Sequence, residues 1–400
     1  MTWHIARMNQ RAAIAFSCAV LLSAGAVACS SDDEPGGNAG TVGMAGVMGS
    51  MAGTGPGAGG VSGTAGSSAG SGGSAGSSVG GDGGIGGASN GGQGGGAGTL
   101  NDAGTLDGSM PELDASVELP TTWTTGAVMP TIRTELAVAA IGGIVFVAGG
   151  YGGMTAFESY DAASDSWDEL KVLPVGLEHP SLGAVGGVVY LTGGGQSATW
   201  AYDPATDEWS ERSPLVYDRH AAAMVALDGA LYLVGGTGTM DRVLQRYDPN
   251  ADEWSALAEL SVTRDHVAAV VLGGKIYALA GRLMSSVGAP YTSVEIYDPT
   301  SNSWVPGVDM QDSRSGFGAA VIAGQIYVAG GEVLELPFSV RDSVERFDPV
   351  AGQWHFEAPL PGPLHGIGAT SIDDRFLIFG GASMAAAADP RTGIVHIYGP

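Results

Sequence analysis

Residues 229–254 read GALYLVGGTGTMDRVLQRYDPNADEW, and the same order of features recurs from residue 123 to the end of the chain. In this stretch an apolar run ends in the pair Gly235-Gly236, and Tyr247-Asp248 stands seven positions before Trp254. Six tryptophans recur at intervals of 42 to 50 residues: Trp123, Trp167, Trp209, Trp254, Trp304 and Trp354. Repeats of this length, built on short apolar runs, indicate the blades of a propeller rather than a helical array.

Each repeat predicts four antiparallel strands, which we name a to d from the axis outward. The runs 230–234 and 275–280 have the length and the composition of strands that are buried on both faces. The small pair after each run permits positive φ or a close backbone approach. Between Asp203 and Trp209 a proline fixes φ and aspartate caps its own turn, so this segment predicts the tight turn between strands c and d.

The order of apolar run, Gly-Gly, aromatic-Asp-Pro and Trp resembles the kelch repeat, and the resemblance covers residues 120 to 400. It implies an all-β fold in which residues 120–400 form a six-bladed kelch-type β-propeller. Because kelch proteins differ widely in what they do, the resemblance implies a fold and no particular activity.

The two ends of the repeat region complement each other. The sixth unit stops at residues 397–400 before any tryptophan, whereas residues 121–123 are a tryptophan strand with no unit ahead of them. We predict that this N-terminal strand completes the last blade, because pairing the two ends removes free strand edges and closes the ring.

Residues 1–28 predict a signal peptide, in which a basic start precedes the apolar stretch 12–27 and residues 26–28 form a small-residue cleavage site. With Cys29 this site resembles a bacterial lipobox, which implies lipidation of Cys29 and a lipid anchor in the membrane. Ser30, rather than aspartate, implies export to the outer membrane or cell surface. The alternative is a secreted or periplasmic protein that carries Cys29 by chance.

Residues 29–119 are mostly Gly, Ser and Ala, with few large apolar side chains. Such a segment cannot bury enough surface to offset the entropy lost on ordering, so we expect a disordered tether. A flexible chain of ~90 residues spans about 50 Å. That length suits a tether that holds the propeller away from a membrane or passes through a surface layer.

Acidic residues outnumber basic ones by 41 to 16, and the formal net charge is −25. This excess argues against a nucleic-acid partner and against adhesion to anionic lipid. The two cysteines, Cys18 and Cys29, both precede the propeller region. The copper cofactor of the galactose oxidases, a kelch branch that needs a Tyr–Cys crosslink, therefore cannot form. We expect no cofactor, and we expect a monomer.

Binding sites usually lie on variable loops carried by a rigid scaffold. In a four-stranded meander the b–c loop of each blade and the d–a loop between blades share one rim. The spacing from the second small residue to the aromatic is 10 residues in blade 1 but 16 or 17 in blades 4 to 6. We therefore predict the site on the rim of b–c and d–a loops, biased toward blades 4 to 6.

The d–a loops carry the polar candidates for ligand binding. Arginine occupies one repeat position in four blades, and histidine follows that position by one or two places in four: Arg133, Arg219, Arg264 and Arg314; His179, His220, His266 and His365. A ring of Arg and His facing the mouth would suit a carboxylate or sugar-acid ligand. Aromatic residues of the same rim could stack on sugars: Tyr151, Tyr291 and Phe338.

The arginines also have a structural interpretation. Three of the four arginine blades carry a glutamate two positions before the aromatic of strand c. This co-occurrence predicts three internal ion pairs: Arg133–Glu158, Arg264–Glu295 and Arg314–Glu345. Arg219 lacks such a glutamate, so it is the arginine that we prefer for ligand binding.

The histidines either pack within the rim or bind a ligand. A zinc site needs three or four converging ligands. His220 and His365 belong to opposite blades, and His179 and His266 are also far apart along the ring. We therefore expect no metal site, and no residue has a motif that marks it as catalytic.

Three functions remain open. The first, which we favour, is a membrane-tethered binding module of the cell envelope that captures a protein or a glycan at the b–c and d–a rim. The second is an enzyme that processes a sugar acid, because the periplasmic sialic-acid mutarotases are also six-bladed kelch propellers. The third is a purely structural envelope protein, which needs only the tether and the shape.

Overall fold

The computed structural model of the protein describes residues 122–283 and 290–399. The predicted signal peptide, Cys29 and the tether lie outside the described residues. The chain divides into two units, Met1–Gly98 and Thr99–Pro400, and all described residues belong to the second. Among the described residues the regular elements are β-strands, and none forms a helix long and apolar enough to cross a membrane.

The strands build six four-stranded antiparallel sheets. The first strand along the chain is β1 (Thr122–Gly126), which belongs to the last sheet. Blades 1 to 3 contain, from strand a to strand d of each, β2 (Ala137–Ile141), β3 (Ile144–Ala148), β4 (Phe157–Asp161), β5 (Ser166–Glu169); β6 (Pro180–Val185), β7 (Val188–Gly193), β8 (Gln196–Asp203), β9 (Glu208–Arg212); β10 (Ala223–Leu227), β11 (Ala230–Val234), β12 (Val243–Asp248), β13 (Glu253–Glu259).

Blades 4 to 6 follow the same order. Their strands are β14 (Ala268–Leu272), β15 (Lys275–Leu279), β16 (Val294–Asp298), β17 (Ser303–Pro306); β18 (Gly318–Ile322), β19 (Gln325–Ala329), then a hairpin of β20 (Glu332–Val333) and β21 (Ser339–Val340) inside the b–c loop, β22 (Val344–Asp348), β23 (Gln353–Glu357); β24 (Gly368–Ile372), β25 (Arg375–Phe379), β26 (Val395–Gly399). The sixth sheet has the order β1-β26-β25-β24.

The ring is closed by the N-terminal strand, as the sequence predicts. Each inner strand contacts the inner strand of the next blade, and β24 contacts β2. Trp123 pairs with Tyr398 across β1 and β26, and the centroids of their rings are 4.8 Å apart. Trp123 Nε1 also donates a hydrogen bond of 3.0 Å to the carbonyl oxygen of Ala358, which directly follows β23 of blade 5. The predicted six-bladed propeller and its closure are therefore confirmed.

The repeated Tyr-Asp and Trp residues of strands c and d hold the c–d turns. In blade 2 Asp203 Oδ1 accepts a hydrogen bond from the main-chain N–H of Ala205 (2.9 Å), so aspartate caps its own turn as predicted. The buried Tyr202 donates its hydroxyl to Asp207 at 2.8 Å, and the ring of Trp209 packs 5.1 Å from the ring of Tyr202. These contacts recur from blade to blade, so the turns are part of the scaffold.

Two classes of connection lie at opposite ends of the strands. We call the d–a and b–c loops the mouth loops: residues 127–136, 149–156, 170–179, 194–195, 213–222, 235–242, 260–267, 280–283 with 290–293, 307–317, 330–343, 358–367 and 380–394. We call the a–b and c–d connections the short turns: residues 142–143, 162–165, 186–187, 204–207, 228–229, 249–252, 273–274, 299–302, 323–324, 349–352 and 373–374. Single β-bridges such as Thr134–Tyr151 and Ser315–Glu332 join d–a to b–c loops, which confirms that the mouth loops share one rim.

Candidate functional site

Six residues, one from each d–a loop, surround the propeller axis. They occupy the same position of the repeat and all have positive φ: Glu135, His179, Ala221, His266, Gly316 and Gly366. The main-chain N–H of Glu135 donates to the carbonyl of Gly366 (2.7 Å), and the N–H of Gly366 donates to that of Gly316 (2.7 Å). Equivalent bonds join His179 to Glu135 (3.1 Å) and Gly316 to His266 (2.9 Å). With a fifth bond, from the N–H of His266 to the carbonyl of Ala221 (3.0 Å), five of the six junctions in this hydrogen-bonded ring are bridged. The ring brings side chains of different blades to one narrow mouth.

A cavity of about 90 Å³ lies on this axis and is lined by residues of all six d–a loops. Gly366 makes room for the side chain of Glu135. A Cβ added at Gly366 would lie 2.6 Å from Glu135 Oε1, too close for any carbon atom. The space left by glycine is therefore the space that the carboxylate of Glu135 uses.

Nine ionisable side chains of the mouth loops form a connected group around this cavity, which we call the axial cluster. Its members are Glu135, Glu178, His179, His220, Asp265, His266, Arg282, Glu332 and His365. They come from all six blades, so only the closed ring assembles the axial cluster.

The part of the axial cluster nearest to solvent is a relay of carboxylates and imidazoles. His179 Nε2 lies 3.2 Å from Glu135 Oε2, and its Nδ1 contacts Glu178 Oε2. The other oxygen of Glu178 lies 3.0 Å from His220 Nε2. The side chains of Glu178 and His220 are 26% and 19% exposed, so a ligand can reach this part from the mouth.

The other part of the axial cluster is more deeply buried. His266 Nδ1 lies 2.6 Å from Asp265 Oδ1, and its Nε2 lies 3.1 Å from Arg282 Nη2. Arg282 also contacts Glu332 through Nη1. His365 Nδ1 lies 3.5 Å from carboxylate oxygens of both Glu135 and Glu332. Each imidazole of the axial cluster therefore lies near at least one carboxylate.

Contacts between carboxylates and imidazoles shift the pKa values of the relay. Burial alone would raise the pKa of Glu135, but the charge and hydrogen bond of His179, with contributions from other histidines, hold it well below its ordinary value. Burial alone would lower the pKa of His179, but Glu135 and Glu178 raise it to about 9. The pKa of Glu178 is lowered, because hydrogen bonds to His179 and His220 outweigh its burial. At neutral pH the centre of the relay is an imidazolium between two carboxylates.

The pKa values of His266 and His365 are shifted in opposite directions. Burial lowers the pKa of His266 in spite of its hydrogen bond to Asp265. The pKa of His365 is raised, because the neighbouring carboxylates of Glu135 and Glu332 outweigh burial. The pKa of His266 is thus shifted in the opposite direction to those of His179 and His365.

The predicted arginines lie inside the wall of the mouth. The side chains of Arg133, Arg264 and Arg314 are fully buried. The three expected ion pairs are present: Arg133 Nη2 contacts Glu158, Arg264 Nη2 is 2.8 Å from Glu295, and Arg314 Nη2 is 2.8 Å from Glu345. The structural interpretation of these three arginines is confirmed.

Arg219 is also fully buried. Its guanidinium donates to the carbonyl oxygens of Thr239 (2.6 Å), Met240 (2.6 Å) and Val243 (3.1 Å). Main-chain carbonyls thus replace the glutamate that blade 3 lacks. The prediction of arginines facing the mouth is wrong for all four, and Arg219 has no exposed surface with which to bind a ligand.

The four predicted histidines all belong to the axial cluster. The ring centroid of His179 lies 4.6 Å from that of His220 and 4.8 Å from that of His266. The expectation that histidines of distant blades do not converge is therefore wrong, because the hydrogen-bonded ring narrows the mouth. Two groups of three have ligand atoms within 4.8 Å of one another: Glu135, His179, His266; and Glu178, His179, His220.

Sequence reasoning missed three of the four acidic members of the axial cluster and its arginine: Glu135, Glu178, Asp265 and Arg282. A signal was present, since Glu135, His179 and His266 stand at one position of the aligned repeats, two places after the arginine position. The sequence could not show that this position adopts positive φ and faces the axis.

Large exposed apolar side chains concentrate on the mouth loops. Of the sixteen among the described residues, thirteen belong to the mouth loops: Val128, Ile132, Tyr151, Met154, Val172, Val216, Met240, Leu283, Val308, Leu336, Phe338, Met384 and Ile394. The other three are Val305, Val350 and Phe356. Exposed apolar side chains are thus unevenly distributed between the mouth loops and the rest of the described residues.

Comparison with known proteins agrees with this architecture. The kelch motif matches residues 218–261, 263–311 and 313–361, which span blades 3 to 5. A solved structure titled "Structure of YjhT" is similar with a TM-score of 0.61 and 17% identity, over 67% of this chain and 95% of that chain. At this identity the similarity concerns the fold alone. No curated protein matches the chain. Three consecutive blades of the six-bladed ring thus carry a match to the kelch motif.

Proposed function

We propose that this protein is a binding module of the cell envelope that recognises a protein partner through its mouth loops. The observation that carries the proposal is the concentration of exposed apolar side chains on those loops. Fully burying one such side chain contributes about 1.5–3 kcal/mol. A few of them, packed against a partner, are enough for a specific interface.

The longest b–c loops supply the strongest candidates for the contact surface. Leu336, Phe338 and Met384 are 77%, 43% and 57% exposed and lie in blades 5 and 6. The main-chain N–H of Ala386 donates to Glu332 Oε2 at 2.8 Å and links the loop of blade 6 to blade 5. These loops therefore offer a prearranged surface beside the axial cluster, on the side that the loop lengths predict.

A protein fits this surface better than a glycan does. Two of the aromatic residues suited to stacking on sugars already have partners within the chain. The ring of Tyr151 meets His179 edge-on at 5.6 Å, and the guanidinium of Arg264 lies 5.4 Å from the ring of Tyr291. Phe338 is left, and a single aromatic among aliphatic neighbours favours a protein surface.

Site-specific crosslinking in intact cells of the native host tests this proposal. A photoreactive phenylalanine analogue is placed at Phe338 in the mouth loops or at Val350 in a short turn. We expect a discrete protein adduct from position 338 and none from position 350. Equal adducts from both positions, or a partner that is lost on glycosidase treatment, would contradict a protein-binding mouth.

Export and anchoring are part of the same proposal. The small-residue site before Cys29 and the tether of residues 29–119 support a lipid-anchored propeller at the outer membrane or cell surface. Metabolic labelling with an alkyne fatty acid should mark the wild-type protein. Cys29→Ser should abolish the label and release the protein from the membrane fraction, whereas a labelled C29S variant would exclude this anchor.

A second candidate function is acid–base processing of a sugar acid. The relay Glu135–His179–Glu178 favours it, since carboxylates and imidazoles in contact can transfer protons. The pKa values count against it, because an efficient general acid or base titrates near the working pH and His179 titrates at about 9. Anomer exchange followed by NMR, lost in Glu178→Gln, would support the enzyme; unchanged exchange in that variant would exclude a role for the relay.

A further inference from the structure

We propose that Glu135, His179 and His266 bind a divalent transition metal ion, with zinc as the expected occupant, at the propeller axis. The three residues belong to blades 1, 2 and 4, and their ligand atoms lie within 4.8 Å of one another. Two imidazoles and one carboxylate are a common donor set for zinc, and three protein ligands leave positions open for water or a ligand. The proposal is independent of the identity of the protein partner.

The orientation of both imidazoles supports the site. Glu178 contacts Nδ1 of His179, and Asp265 Oδ1 lies 2.6 Å from Nδ1 of His266. Histidines that bind metals usually donate their second ring N–H to a carboxylate, which fixes the tautomer and leaves Nε2 for the ion. Two such carboxylate–histidine pairs side by side are an observation separate from the closeness of the ligand atoms.

The charge of the axial cluster also calls for a cation. It contains four carboxylates, on Glu135, Glu178, Asp265 and Glu332, and one arginine, Arg282. Asp265 is completely buried, and its Oδ2 has no hydrogen-bond partner. Buried carboxylates are normally paired or engaged with metal ions. With His179 protonated, these groups carry an excess of two negative charges, and a divalent ion that displaces this proton reduces the excess to one.

Binding requires the exchange of a few contacts and no change of the backbone ring. His266 Nε2 now accepts from Arg282 Nη2 at 3.1 Å, and His179 Nε2 lies 3.2 Å from Glu135 Oε2. The ion takes the place of both contacts. Arg282 keeps its contacts to Glu332 and to Ser315 Oγ (3.0 Å) through Nη1.

The second group, Glu178, His179 and His220, provides the matched control. It shares His179 but lies nearer to solvent, and its carboxylate is the one that orients His179 in the proposed site. His220→Ala therefore removes an imidazole from the same mouth without removing a proposed ligand. His266→Ala removes a ligand.

Calorimetric titration of the full-length protein with zinc chloride tests the proposal. The protein is first stripped with a chelator, and the titration is run at pH 8, where zinc must displace the proton of His179, whose pKa is about 9. We expect one ion per chain, an affinity about 100-fold lower in His266→Ala, an affinity about 10-fold lower in Asp265→Asn, and an unchanged affinity in His220→Ala. Zinc should also raise the melting temperature of the wild type but not of H266A.

Two results would overturn the proposal: wild type that binds no zinc, or H220A that loses as much affinity as H266A. Circular dichroism of the metal-free variants shows whether each one is folded. If H266A does not fold, Glu135→Gln takes its place, with the visible absorption of bound cobalt as the readout. A cobalt spectrum in E135Q identical to that of the wild type would then exclude the site.

Discussion

The mouth loops and the short turns connect the same strands, yet the two classes are stabilised in different ways. A short turn is held by its own blade and by the blade before it, as where Asp207 accepts hydrogen bonds from Tyr202 five residues earlier and from the main-chain N–H of Lys171. A mouth loop depends on distant residues, as where Glu135 bonds to Gly366 across the closed ring. Local stabilisation repeats with the sequence, whereas long-range stabilisation lets each blade contribute a different side chain. The propeller thus has one end made of repeats and another that can carry a site.

The largest expected effect concerns the closure on which both classes depend. Deleting residues 119–127 removes β1 and exposes the edge of β26, so the ring should lose its cooperative thermal transition. Deleting residues 110–118 of the tether is the control and should leave the transition in place. A melting curve unchanged by the first deletion would contradict the closed ring as the source of stability.

The next effect concerns the buried charges in the wall of the mouth loops. Arg314→Met leaves Glu345 without its partner in a fully buried site, and we expect a loss of about 3–5 kcal/mol in the free energy of unfolding. Arg242→Met breaks a pair in which both side chains are well exposed, and should cost less than about 1 kcal/mol. Urea denaturation measures both. Similar losses in the two variants would show that the wall does not depend on its internal ion pairs.

A smaller effect is expected in the short turns. Tyr202→Phe removes the hydroxyl that donates to Asp207, which should cost about 1 kcal/mol and leave the crosslink from position 338 intact. The same denaturation experiment measures the cost. A loss of crosslinking in Y202F would show that the two ends of the blades are not independent.

The fold could be predicted because its determinants are local and repeated six times. The small pairs, the Asp-Pro turns and the incomplete sixth unit are visible along the chain, and together they predict strands, turns and closure. The Arg–Glu pairs were also predictable, because the arginine and the glutamate occur together in three blades, as Arg314 and Glu345 do in blade 5. In each case the same residue types stand at equivalent positions of several repeats.

The site was only partly predictable, because its determinants are not shared between repeats. His179 and His220 were identified from the sequence, but their meeting depends on positive φ at an axial position and on the narrow ring of N–H···O bonds. The prediction that Arg219 faces the mouth was wrong because main-chain carbonyls, which carry no sequence signal, take the place of the expected glutamate. The acidic members of the axial cluster followed no motif of their own.

Two matched triple variants test most directly whether partner binding belongs to the mouth loops. They are compared for stability and for partner binding. One carries serine at Leu336, Phe338 and Met384 in the mouth loops. The other carries serine at Val305, Val350 and Phe356, which lie outside them. Exposed positions contribute little to folding, so each substitution should change the free energy of unfolding by at most about 0.5 kcal/mol.

Binding of each variant to the crosslinked partner is then measured by surface plasmon resonance. We predict that the mouth variant loses at least about tenfold in affinity, which corresponds to about 1.4 kcal/mol, while the second variant binds as the wild type does. Equal affinities for all three proteins, or a loss confined to the second variant, would contradict the assignment of binding to the mouth loops.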